Sequence, residues 1–404
     1  MRRQCPIFKT QRAGRSIFTL FHQLDQLIYK YNVQQIDEEV LKKNNPIDVK
    51  EIELLMEDLS RQITSLIEPE VLSEFYSSTL DPRVFLLSDI PLDFVRTRGD
   101  YFGYTAILNR LPVTPGVLPL NYYEMTEALT DLENKASQTV IVTSFIAGSN
   151  ERFMLDTALK MFKYDKTVTI LDIHSKFQLI NYINNNRHIK CMVFFGHGGI
   201  ERDLNESWIQ LPADNFFNTD VDRFKYIPKT IVLVGCNTSS GGNTISGMDI
   251  PFLKRGAQVI ATTFPIPLTI GVHFIGLFLS NFISAGVHTK DGTRYYTDLS
   301  DILTVVKRRL RINSVLYNLF AFNKVNAIRA GKMMDMYTAK MGILESNDKG
   351  NDLNPFIAIK ETLLETGLID SIETPFYKIE KIPYCLFFTC LGYTWHHKNK
   401  NLTL

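Results

Sequence analysis

The sequence predicts an α/β fold: a mostly parallel six-stranded sheet with helices on both faces, preceded by a helical N-terminal region and an accessory half-sheet. Short, continuous apolar runs at 191–195 and 230–234 read as strands covered on both faces, which is how strands of a parallel sheet appear. From Thr139 onward such runs alternate with stretches of helical periodicity, a pattern that implies right-handed crossovers and a covered sheet. The length of 404 residues allows two or three ordinary domains, and a hydrophobic fraction of 45% can build a real core.

Residues 1–80 read as helical. Phe18, Phe21, Leu24, Leu27, Ile28 and Tyr31 form one apolar stripe; Ile52, Leu55, Met56, Leu59, Ile63, Leu66 and Ile67 form another. Asn44, Asn45 and Pro46 separate the two. This region reads as a cap on the next domain or as a docking surface for a regulator. Residues 81–138 form the accessory part: an apolar run at 84–87, then polar, proline-rich sequence to Pro119. The main domain spans 139–395 and leaves a tail at 396–404. Its six strands are expected at 139–146, 167–173, 191–196, 231–235, 257–262 and 384–389. Asn150 is placed to cap a helix over 151–162, and Ser175 to open one running to about 184. Further helices are expected at 245–255, 268–286 and 299–330. The stretch 201–229, with Trp208, reads as an irregular excursion, and 345–355 as a linker. The 268–286 segment is apolar, but it contains His273, Ser280 and Asn281 and follows a strand directly, so it reads as a buried helix.

Composition excludes several classes of function. Lys+Arg of 44 against Asp+Glu of 43 leaves no net field to draw nucleic acid or an anionic membrane, so neither is expected as a direct partner. The basic run 306–311 reads as a solvated helix face. Five cysteines with no CxxC pair point to a reducing compartment, and a cytoplasmic location is expected. Arg2, Arg3, Lys9, Arg12 and Arg15, with no acid before Asp25, have the composition of a transit segment, but 18–28 already reads as a core helix. There is no G-x-x-x-x-G-K-[ST] loop and no G-x-S-x-G elbow, and His396 and His397 are too isolated for a zinc site. No cofactor and no metal are expected.

Two strands end in chemistry. The run 191–195 stops at Gly196 and His197; the run 230–234 stops at Gly235 and Cys236. Parallel strands carry their C-terminal ends on one edge, where ligands of open α/β sheets bind. As neighbours at roughly 4.8 Å, the two strands would bring a thiol beside an imidazole, a nucleophile with its base. The amides of Gly198 and Cys236 are then placed to form an oxyanion hole. Cys191 and Cys385 sit inside strands and read as inert core; His22, His174, His188 and His288 have no strand-end context, and Cys5 and Cys390 carry no signal.

The two motifs together resemble the caspase-like, clan CD cysteine peptidases, and among them the CHAT peptidases, bacterial relatives of caspases and separase. Three further stretches are similar: Cys-Asn-Thr-Ser-Ser-Gly at 236–241, the helix-Gly-Ala-strand at 252–261, and Pro-Tyr-Cys-Leu-Phe-Phe-Thr-Cys-Leu-Gly at 383–392. The resemblance spans 84–395. It implies Cys236 as nucleophile and His197 as general base and acid, with no third residue required and no hydrogen bond between them required in the free enzyme. It implies a pocket for the residue before the scissile bond at the ends of the first and fifth strands, lined by Ala147, Ser149, Thr263 and Phe264, with the substrate adding as a strand beside the fifth. Pro265, Ile266 and Pro267 stand where related sequences carry an acid, so a neutral or apolar residue is expected there; Asp249 and Asp89 are the acids placed to reverse that expectation. The implied function is cleavage of a specific protein substrate by a regulated protease of bacterial antiviral defence, triggered by a sensor or activator through the N-terminal helices and releasing an effector such as a gasdermin-like pore former. The alternative is a catalytically silent caspase-like module that binds partners.

Overall fold

The computed structural model describes residues 13–36, 49–71, 73, 83–96, 100–112, 137–164, 166–201, 206–239, 247–284, 298–321, 324–347 and 354–392. Its centre is an eight-stranded sheet. In chain order the strands are β1 (Arg83–Leu87), β2 (Ile107–Leu111), β3 (Thr139–Thr143), β4 (Thr169–Leu171), β5 (Cys191–Phe195), β9 (Thr230–Val234), β10 (Gln258–Thr262) and β11 (Phe388–Leu391). Across the sheet they lie β1-β2-β11-β10-β9-β5-β3-β4, parallel throughout except where β11 runs antiparallel to β10. The three remaining strands, β6 (Gly198–Glu201), β7 (Glu206–Gln210) and β8 (Asn215–Phe217), make a separate antiparallel sheet.

Strand alternation sorts the core into two faces. Ile141, Val193, Phe195, Val232, Val234 and Ile260 point to one face. That face is covered by α1 (Arg15–Ile36), α2 (Val49–Thr64), α4 (Asn150–Met161), α7 (Leu268–Ser284) and α8 (Leu299–Ala321). Val140, Val142, Met192, Phe194, Ile231, Leu233 and Val259 point to the other, covered by α5 (Lys176–Asn185), α6 (Asp249–Lys254) and the small sheet. A four-residue turn of helix, α3 (Phe102–Thr105), precedes β2, and α9 (Ala327–Asn347) and α10 (Asn354–Glu365) pack together beyond α8. Ser175 caps α5 with Gln178 closing a capping box.

The structure corrects several expectations. The sheet has eight strands because β2 pairs with β11, Leu391 opposite Arg110, so the accessory half-sheet is an extension of the main one. Ser149, not Asn150, caps α4, its hydroxyl accepting from the Arg152 N–H. The 201–229 stretch contributes strands. The 299–330 helix is two helices, and the strand expected at 384–389 begins only at Phe388, after a 3-10 turn over Tyr384–Phe387 that follows Pro383. The linker expected at 345–355 is still helical to Asn347, and 348–353 lie outside the described residues, as do Cys5, the loop 288–297 and the tail from 393. Among the described residues no helix is long and apolar enough to cross a membrane, and no cluster of His, Cys, Asp and Glu could hold a metal.

The largest correction concerns the basic run of α8. Lys307, Arg308 and Arg311 are buried. Arg311 donates through Nε to Glu380 Oε2 at 2.9 Å and through Nη2 to Asp100 Oδ1 at 2.8 Å, while Tyr104 and Ser314 hydroxyls donate to Glu380 Oε1 at 3.0 and 2.6 Å. Lys307 Nζ reaches Asp93 Oδ1 at 2.5 Å, and Arg308 Nε the Tyr104 carbonyl at 2.8 Å. Burial works against the Arg311 charge; the Asp100 and Glu380 carboxylates outweigh it and hold the guanidinium above its ordinary value. These charges tie α8 to the segment around β2 and to the approach to β11.

Candidate active site

β5 and β9 are adjacent and parallel, with Phe195 opposite Val234. The ladder ends there, and the two chains run on from the same edge to Gly196 and His197 and to Gly235 and Cys236. The two strand ends stay in contact beyond the ladder: the Gly196 N–H donates to the Val234 carbonyl at 3.2 Å. Both glycines are required by this closeness. A methyl built on Gly235 would fall 2.9 Å from the Gly196 carbonyl oxygen, and one on Gly198 would fall 2.8 Å from the Cys236 carbonyl oxygen. Gly199 is filled from the other side, where a methyl would meet the Trp208 indole at 2.7 Å. The expected excursion after His197 is therefore a hairpin that folds Trp208 over the glycine pair, in strand register Gly199 opposite Trp208.

The Cys236 turn is stapled to its neighbour. Asn237 takes the left-handed conformation (φ 53°), which asparagine tolerates better than most residues. Thr238 then donates to the Leu233 carbonyl at 3.2 Å and accepts from the Thr262 N–H at 3.0 Å, and the Ser239 N–H reaches the Thr262 carbonyl at 2.9 Å. The Thr262 hydroxyl is bonded to the Gly235 carbonyl. Thr238 and Thr262 thus fix the main chain on either side of the sulfur.

His197 is exposed, its ring edge-on to Phe145 at 5.3 Å, and Phe145 packs in turn on Phe195 at 5.2 Å. Cys236 is half-buried. Burial pushes its thiol up to about 11; a hydrogen bond with the Ile266 main chain pulls the other way, and the Asp25 carboxylate adds to the rise. The two side chains are not hydrogen-bonded to each other among the described residues.

The expected pocket lining fares unevenly. Ala147 is exposed on the rim beside Phe145. The Ser149 hydroxyl is spent on capping α4. Thr263 and Phe264 are buried, 2% and 1% exposed, because α1 lies over them: Phe21 stacks on Phe264 at 5.5 Å and Asn32 donates to the Pro265 carbonyl at 3.4 Å. Asp249 is fully buried, with the Ser239 hydroxyl between it and Arg110: Ser239 donates to Asp249 Oδ2 at 3.4 Å and accepts from Arg110 Nη2 at 3.2 Å. Asp89 is exposed near Arg110, which donates to its carbonyl at 2.7 Å. β10 is no free edge either, since β9 and β11 flank it and the Thr263 N–H goes to the Phe387 carbonyl at 2.8 Å. A substrate strand has no open main chain beside β10 until past Thr263.

No family model matches the chain, and no curated protein matches it.

Sequence reasoning missed Asp25 and the stapling role of Thr262. The signal for Asp25 was available, as an acid set inside the apolar stripe of Phe21, Leu24 and Ile28. The edge also gathers polar atoms in want of partners: Ser144 Oγ, Asn237 Oδ1, Thr263 Oγ1 and Thr269 Oγ1 are buried with no hydrogen bond among the described residues.

Proposed function

We propose that the protein is a cysteine endopeptidase of the caspase-like, CHAT kind that cuts a specific protein substrate. The observation that supports this is that β5 and β9 lie side by side and parallel, with Phe195 opposite Val234, so that both strands run out toward His197 and Cys236 at the same edge of the sheet. In the reaction, His197 takes the thiol proton and Sγ attacks the scissile carbonyl carbon. The developing oxyanion is met by the Gly198 and Cys236 amides. His197 then protonates the departing amine as the C–N bond breaks, and water hydrolyses the thioester with the same imidazole as base. Burial pushes the thiol up to about 11 and it is not hydrogen-bonded to the imidazole, so on this reading substrate or an activator brings the pair together.

By resemblance, the setting is bacterial antiviral defence in the cytoplasm, with a sensor protein acting through the N-terminal helices and a gasdermin-like pore former as effector. That assignment is an analogy from fold to pathway. The raised thiol also supports a second reading, a catalytically silent module that binds partners. A peptide bearing an electrophilic carbonyl separates the two. Covalent labelling of Cys236 that is lost in His197→Ala, with cleavage of a peptide panel by wild type and not by Cys236→Ala, supports the protease. No labelling and no cleavage at any peptide sequence leaves the silent module.

A further inference from the structure

We propose that the outer edge of β6 receives the substrate chain just past the scissile bond, with an apolar side chain of that chain seated on Trp208. The proposal rests on the protease reading. It moves the added strand from β10, whose two sides are taken, to the strand that runs on directly from His197. β6 stands at the edge of the small sheet, with β7 on one side only. The other edges among the described residues, β1, β4 and β8, are separated from the β5–β6 chain by one strand or more.

The phase of the ladder decides which main-chain groups of β6 are open. The Gln210 N–H donates to the His197 carbonyl at 2.9 Å, so 197 and 210 form a hydrogen-bonded pair. Bonded and non-bonded pairs alternate along an antiparallel ladder. Gly199 and Glu201 therefore bond to β7, opposite Trp208 and Glu206, while Gly198 and Ile200 turn their N–H and C=O outward. At Gly198 this outer edge borders the Cys236 turn: a methyl on Gly235 would lie 3.6 Å from the Gly198 nitrogen. Ile200 comes next on the same edge, roughly 7 Å further along. It is half-buried, and its N–H and C=O have no partner among the described residues.

The chemistry gives this edge its occupant. His197 hands a proton to the departing amine, so the chain attached to that amine leaves on the side of the imidazole. β6 is the main chain on that side. An extended segment pairs with the open groups of Ile200, and the main-chain bonds supply affinity whatever the sequence. Selection comes from Gly199. A methyl there would meet the Trp208 indole at 2.7 Å, so the missing Cβ lets the indole lie against the main chain of β6, and Trp208 itself is half-buried. Neighbours across a sheet share a face, so the substrate residue opposite Gly199 turns its side chain toward the indole. A bulky apolar residue within about two positions of the cut fits best.

The test uses the full chain and two sets of fluorogenic peptides that share their sequence up to the cut. One set ends there in aminomethylcoumarin; the other continues past it. Wild type should prefer Phe or Leu over Gly or Ser just past the cut by about tenfold in kcat/KM, and Trp208→Ala should erase that preference while Trp208→Phe keeps it. Backbone N-methylation scanned along the continuing segment should lower kcat/KM about fivefold or more at one position. Ile200→Pro deletes the outward N–H without touching the β7 ladder, and should lower turnover of the continuing peptides about tenfold more than that of the coumarin amides. The scan uses wild type alone, so it decides the matter even where the Ile200→Pro protein fails to fold. A flat scan, or a preference that survives Trp208→Ala, overturns the proposal and spares the protease. Absence of cleavage of both sets by wild type ends the protease reading and this subsite with it.

Discussion

Two polar regions of this molecule invite comparison: the buried cluster around Arg311 and the carboxyl edge of the sheet. In the first, every charge has its complement, with Arg311 between Asp100 and Glu380 and the leftover acceptor of Glu380 filled by Tyr104 and Ser314. In the second, a thiol is held away from its ionised form and the hydroxyls of Ser144, Thr263 and Thr269 have no partner among the described residues. The first region is arranged for stability. The second bears the cost of unsatisfied groups, as sites built to receive something do.

The comparison breaks or sharpens under four substitutions. The largest effect belongs to Cys236→Ala: a fluorogenic peptide cleaved by wild type should be cleaved at least about 10⁴-fold more slowly, with the urea midpoint little changed. Arg311→Met should do the reverse. It strands two buried carboxylates and should cost about 3–5 kcal/mol in urea unfolding, lowering activity only through the fraction folded. Gly198→Ala brings a methyl against the Cys236 carbonyl and should lower kcat about a hundredfold and lower the thermal midpoint as well, because the main chain has to shift to admit it. Thr263→Val should be the mildest, neutral or stabilising by up to about 1 kcal/mol in the same urea assay, because it removes a hydroxyl that has no partner. A clear loss of stability there would mean that the hydroxyl is satisfied in solution.

A pH series adds the sign. The Cys236 thiol lies above its ordinary 9.0, at about 11, so the fold favours the protonated form. That contribution to stability is present below about pH 9 and is lost as the pH rises through about 11. Alkylation of Cys236 in the free protein should climb roughly tenfold per pH unit across the same interval. A plateau near pH 8 would show a thiolate already formed and a site more active at rest than its geometry implies.

The adjacency of the strands that lead to His197 and Cys236 was legible because both are continuous apolar runs whose ends are marked by glycine, and because a covered parallel sheet puts such ends together. The small antiparallel sheet was not legible. In β7 the inward positions are Ser207 and Ile209, so the strand's alternation is there but half of it is written in serine. The buried charges of α8 were misread for a related reason. A helix facing other polar groups shows the same letters as one facing water, and the partners Asp93, Asp100 and Glu380 lie far away in sequence. Asp25 escaped because helical periodicity identifies a stripe without saying what lies opposite it.

Pro265 and Pro267 have no N–H, so between them only Ile266 offers an amide hydrogen, and its main chain pulls the Cys236 thiol down against the effect of burial. On the protease reading, an incoming polypeptide that anchored its main chain on this amide would remove that influence from the sulfur.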